Sequence, residues 1–113
     1  MEKLKITLSK KNEIEQFLLI NIIGLMSLLE NDEISICECE SFLFSPYSVD
    51  KIKKLQINDK IIRLIELGCE LEDVESLLPR KLKSNIESIK KEAINLLMRM
   101  PKNKDDELKK WID

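Results

Sequence analysis

The chain has 113 residues, close to the common size of one domain, and 43% of them are hydrophobic, too many for a disordered segment. Two glycines and three prolines supply too few tight turns for a sandwich or barrel, and the absence of histidine excludes imidazole as base or metal ligand. The formal net charge is -2, with 35% of residues charged, so the whole molecule is not a generic polycation for nucleic acid.

Lys3 to Leu8 alternates polar and apolar residues, which predicts a short strand or an extended lead-in. Ser9 then offers a helix cap. From Lys10 to about Leu29 the spacing predicts a long helix. Ile14, Phe17, Leu18, Leu25, Leu28 and Leu29 share one face, and Leu19, Ile20, Ile23 and Met26 cover much of the other. The most apolar run, Phe17 to Leu29, is shorter than the about 20 residues of a membrane span and contains Asn21, Gly24 and Ser27. It is expected to be a buried core helix. Glu13 and Glu15 precede it and no small-residue cleavage site follows, which argues against a signal peptide.

Ser35-Ile36-Cys37-Glu38 matches a capping box, and predicts a helix over Ile36 to Phe44. The alternative is a strand over Ile34 to Cys39, which would put Glu38 and Glu40 on its apolar side. Ser45-Pro46 reads as an N-cap with proline in the first turn. Val49, Ile52 and Leu55 give the next helix its apolar spacing. Asn58 is expected to cap a helix from Asp59 to Leu67, ended by Gly68. Glu70 to Leu78 forms a short helix with Leu71, Val74, Leu77 and Leu78 on one face. After Pro79, the stripe Leu82, Ile86, Ile89, Ala93, Leu97 and Met100 predicts a second long helix, ended by Pro101. Lys102 to Asp106 reads as a polar linker, and Leu108, Trp111 and Ile112 as a short docking helix. The expectation is a single all-α domain over residues 1–113, a compact orthogonal bundle of about six helices.

Candidate chemistry is sparse. Cys37-x-Cys39 with Cys69 lacks the four-ligand spacing of a structural zinc site, so no metal or other cofactor is expected. An odd number of cysteines suits free thiols in a reducing cytoplasm. Without a histidine to hold a thiolate, and without a glycine-rich phosphate loop, the residues point away from an enzyme. Arg63 to Leu78 has the outline of a helix-turn-helix. Its second helix carries Glu70, Glu72, Asp73 and Glu75 and no cation, so duplex DNA is disfavoured as a partner.

Charge is segregated instead. Residues 30–50 contain Glu30, Asp32, Glu33, Glu38, Glu40 and Asp50 without a base, and residues 70–78 repeat the pattern. These segments hold ten of the 21 acids, leaving 11 acids against 19 bases elsewhere. Charge runs are usually solvated helix faces. The functional alternative is an acidic face, built from Glu38, Glu40, Glu70, Glu72, Asp73 and Glu75, that captures a basic protein. A weaker alternative is a regulator or antitoxin that touches nucleic acid through Arg80, Lys81, Lys83, Lys90 and Lys91 on the last long helix.

The runs Leu67-Gly68-Cys69-Glu70-Leu71-Glu72-Asp73-Val74-Glu75-Ser76-Leu77-Leu78-Pro79 and Phe42-Leu43-Phe44-Ser45-Pro46-Tyr47-Ser48 resemble a family of small helical bacterial proteins without assigned function. The similarity extends from about Ile14 to Met100. Members of that family look like immunity proteins of bacterial competition systems. The resemblance implies a cytoplasmic, non-catalytic chain whose partner is a toxin domain, with an RNA-cleaving nuclease as the leading expectation. It brings no catalytic residues to carry over.

Overall fold

The structure is a computed structural model that describes residues 2–101 and 111–112. Among these residues it is all-helical, with α1 (Lys11–Glu30), α2 (Ile36–Phe42), α3 (Pro46–Lys53), α4 (Asp59–Cys69), α5 (Leu71–Leu77), a 3-10 turn (Pro79–Lys81) and α6 (Leu82–Arg99). Glu70 is at once the C-cap of α4 and the N-cap of α5. These two helices therefore form one interrupted unit, and the described residues hold five helical units rather than six separate ones. The expected strand is absent from the described residues. Residues 3–8 hold no regular secondary structure beyond an isolated antiparallel bridge from Ile6 to Ile112.

Local capping signals explain the starts of α2, α3 and α4, whereas α1, α5 and α6 begin without a side-chain cap. The Ser35 side chain accepts from the Glu38 N–H at 3.0 Å while Glu38 accepts from the Ser35 N–H at 3.1 Å, closing the capping box. Two orphan donors are thereby satisfied, and helix wins over strand at Ile34 to Cys39. Ser45 caps α3 with Pro46 in its first turn, and Asn58 caps α4 through the Lys60 N–H. Ser9 caps nothing: α1 starts one residue later, with Lys10 as N-cap and no side-chain bond.

α1 packs chiefly against α6, and α4 closes the core against both. Leu19, Ile22 and Met26 of α1 are fully buried. They meet the buried face Ile86, Ile89, Ala93 and Leu96 of α6 and the buried Ile61, Leu64 and Ile65 of α4 in one cluster. The face expected of α1 is thus rotated: Ile22 and Met26 lie inside, whereas Leu28 is 41% exposed. A helix apolar on most sides leaves this choice to its neighbours. By length and composition α1 could cross a membrane, with mean hydropathy 1.3 over its best window, which the shorter run Phe17 to Leu29 had concealed. In the fold 33% of that window is buried, on the face that packs against α6 and α4.

Two further contacts fix the frame. Glu15 of α1 accepts the Asn58 N–H at 2.7 Å, tying α1 to the start of α4. Lys90 of α6 pairs with Glu30 of α1 at 2.9 Å, with side chains 31% and 26% exposed. Trp111 and Ile112 also meet the N-terminal segment and α1. Trp111 stands edge-on to Phe17 at 4.9 Å and its carbonyl accepts the Thr7 N–H at 3.2 Å. Trp111 and Ile112 are not helical. Leu108 and the proposed linker Lys102 to Asp106 lie outside the described residues.

Gly68 is the main departure from the sequence reading. It sits inside α4 without a positive φ and does not end the helix. A β-carbon there would collide with the ring of the buried Phe44. Its absence lets the Phe44 side chain lie directly on the α4 backbone. The positive φ values fall elsewhere, at Asp32 (54°) and Gln56 (55°). Asp tolerates the left-handed region through its short polar side chain, whereas Gln has no such compensation. Replacing Gln56 with Gly should therefore raise stability by about 1 kcal/mol, measured by chemical denaturation. An unchanged or lower midpoint would show that Gln56 is held there by other contacts.

Candidate functional site

The acidic segments divide by role. Glu38 is committed to the α2 capping box. Glu70 faces Arg63 at 3.9 Å in an exposed pair. Glu30, also in an acidic segment, is engaged by Lys90. Glu40 meets the acids of α5 because α2 packs against α5. Glu40 of α2 lies beside Glu72 and Asp73 of α5, and Glu40 Oε1 is shielded from water. Glu72 and Glu75, one helical turn apart, stand at the rim of a cleft of about 300 Å³. Of the six acids predicted as a site, the geometry joins Glu40, Glu72 and Asp73, leaves Glu75 close by, and sets Glu38 and Glu70 to other work.

This crowding has an electrostatic signature. The Glu40 carboxyl is held above the usual range, first by a hydrogen bond with the Glu72 side chain, then by burial and by the negative charges of Glu72 and Asp73. The folded chain therefore keeps a proton on Glu40 to higher pH than the unfolded chain does. The associated stabilisation is fully present below the ordinary glutamate value of about 4.3 and is lost as pH rises through the raised value. Glu40→Gln removes the charge and keeps a hydrogen-bond donor. It should raise the Tm at pH 7, and the gain should vanish below about pH 4. A gain that persists at low pH would mean that charge is not the cause.

The thiols sit in the same field. Burial, then Glu38 and Glu40, push Cys39 up to about 11. Burial, then Glu40, Glu66 and Glu70, raise Cys69 as well. Cys37 is exposed. Thiolate is the reactive form, so iodoacetamide at neutral pH should label Cys37 first, with Cys39 the slowest of the three by mass spectrometry. Preferential labelling of Cys39 would contradict its burial. Among the described residues no three His, Cys, Asp or Glu side chains gather as a metal-binding group.

α5 does not bury the face its sequence suggested. Leu71 is buried, but Leu77 is 75% and Leu78 53% exposed. The helix thus presents acids and a large apolar side chain together. The expected basic face is also altered. Arg80 and Lys81 lie in the 3-10 turn, Lys83 is exposed at the start of α6, and Lys90 is taken up by Glu30. Lys91 borders a surface recess shared with Glu30 and Glu87, so that end of α6 is of mixed charge.

A larger cleft of about 570 Å³ lies between α4, α5 and α6, with Leu64, Leu67, Val74 and Ile89 below the Arg63–Glu70 pair. No local motif announced it. Its walls come from three helices, and only their packing brings those residues to one place.

A model of the protein family described as "Protein of unknown function (DUF3969)" matches residues 9–113. The chain belongs to this family. The match takes in the whole helical fold and every acid of the α2–α5 face. No curated protein and no solved structure gives a significant match.

Proposed function

We propose that this DUF3969 protein is a non-catalytic, cytoplasmic binding protein that neutralises a basic protein partner through the α2–α5 face. The observation that supports it most is the gathering of Glu40, Glu72 and Asp73 from two helices, a crowding that holds the Glu40 carboxyl above the usual range. Stability alone gives no reason to place three carboxylates together. A cationic partner would convert the repulsion into attraction, with fast, steered association. The exposed Leu77 on the same helix supplies an apolar anchor of the kind that carries interface affinity.

The partner we propose is a toxin domain, with a nuclease as the leading candidate. Nucleases are basic where they hold RNA or DNA, and an acidic helical face can occupy that surface. The regulator reading, through Arg80, Lys81, Lys83 and Lys91, is weakened by the loss of Lys90 to Glu30 and by the acids around Lys91. Duplex DNA remains an unsuitable partner for α5, which has no cation to offer a phosphate.

The test is capture of the partner from the native host with tagged protein, followed by mass spectrometry and a nuclease assay of the captured chain. A basic protein whose activity falls on adding this protein supports the proposal. Recovery of RNA that is held by Arg80, Lys81, Lys83 or Lys91, with no protein partner, replaces it with the regulator reading.

A further inference from the structure

We infer that the cleft beside the acidic cluster is the socket for an arginine side chain of the basic partner, an inference that rests on the binding-protein reading above. The cleft holds about 300 Å³ and opens between the end of α1, the α1–α2 loop, the start of α2, α5 and the start of α6. Its floor is aliphatic: Ile34, Ile36, Leu82 and Ile86. Ile36 and Ile86 are nearly fully buried, so this floor is continuous with the core and keeps its shape without a partner. Its rim carries Asp32, Glu72 and Glu75, and no cation lines it. All three acids are exposed residues, and none takes part in the ion pairs seen among the described residues.

An apolar floor under a rim of one charge sign selects a side chain with an apolar stem and a cationic head. Only lysine and arginine have that form. Arginine fits better. Its planar guanidinium presents several donors at once and can be shared between the two carboxylates that stand one turn apart on α5. It is also less strongly hydrated than an ammonium, so it loses less on entering a cleft. The volume suits one extended side chain and is too small for a helix. The large cleft under Arg63 and Glu70 lacks this selectivity, because its rim carries both signs and already pairs with itself.

The probe is a hexa-arginine peptide, titrated into the whole protein with labelled isoleucine and leucine methyl groups and backbone amides, and followed by NMR. The expected result is saturable shifts of the Ile34, Ile36, Leu82 and Ile86 methyl groups. The double substitution Glu72→Gln with Glu75→Gln should weaken binding about tenfold while leaving the free spectrum of the core in place. Hexa-lysine should bind more weakly than hexa-arginine. Shifts confined to the Glu72, Asp73 and Glu75 amides, with the four methyl groups unmoved, would overturn the socket and leave the acidic-face reading standing. No binding, or binding unaffected by the double substitution, would overturn the socket as well, and would remove support from the acidic face itself.

Discussion

Gly68→Ala should destabilise the protein by about 2 kcal/mol, whereas Gly24→Ala should stabilise it by about 1 kcal/mol. The substitution is the same, and both glycines lie inside helices. In an exposed helix interior, alanine gains because glycine loses more backbone entropy on folding. Gly24 is exposed and a β-carbon there meets nothing within 4 Å, so only this gain operates. At Gly68 the same methyl group runs into the ring of Phe44, which is 1% exposed and packed in the core. The ring has no free volume to move into, so helix, ring or both must shift. Overpacking of this kind costs about 1–3 kcal/mol, and the helical gain offsets only part of it. Gly68→Val adds two more carbons in the same place and should prevent folding. Adding Phe44→Leu to Gly68→Ala should recover part of the loss, because the smaller side chain vacates the contact. Urea denaturation of the four variants measures all of this. Equal effects at Gly24 and Gly68 would contradict the close packing of Phe44 on α4.

The second large effect concerns the partner. Reversing Glu72 and Asp73 to Lys should slow association with a basic partner by about 10-fold to 100-fold at low salt, with a smaller effect at high salt. Both side chains are exposed on α5, so the helical signal should survive. The matched control is Lys83→Glu with Lys91→Glu, which should leave association unchanged or slightly faster. Lys90 must stay out of that control. It holds Glu30 across the α1–α6 contact, and a glutamate there would set two carboxylates against each other in a partly buried place. A reversal at Lys90 would then lower stability and be mistaken for a binding defect.

What could be read from the sequence was what is decided locally. The capping box at Ser35 and Glu38, the Ser45-Pro46 start and the Asn58 cap each depend on residues within one turn, and each formed. Segregation of acids into two stretches was visible too, because it is a property of composition along the chain. Tertiary packing decided the rest. Gly68 follows a helical stripe and reads as a stop, but its purpose is set by Phe44, 24 positions earlier. α1 is apolar on most sides, so its pattern did not say which side α6 would cover. Leu77 and Leu78 share spacing with Leu71, yet α5 is too short to bury a stripe along its full length. Within the acidic set, spacing could not separate Glu38 and Glu70, already bonded to neighbours, from Glu40, Glu72 and Asp73, which α2 and α5 bring together. The cleft beside them draws its walls from the end of α1, the α1–α2 loop, the start of α2, α5 and α6, which only tertiary packing brings to one place.

The central claim is that the α2–α5 acids touch a basic partner. Zero-length carbodiimide coupling of the native complex, followed by peptide mapping, tests it most directly, because the reagent joins carboxylates to amines already in contact. The account predicts that Glu40, Glu72, Asp73 or Glu75 of this protein become joined to lysines of the partner, and that these links disappear at high salt. Links running instead from partner carboxylates to Lys83 and Lys91, with the α5 acids unmodified, would contradict it.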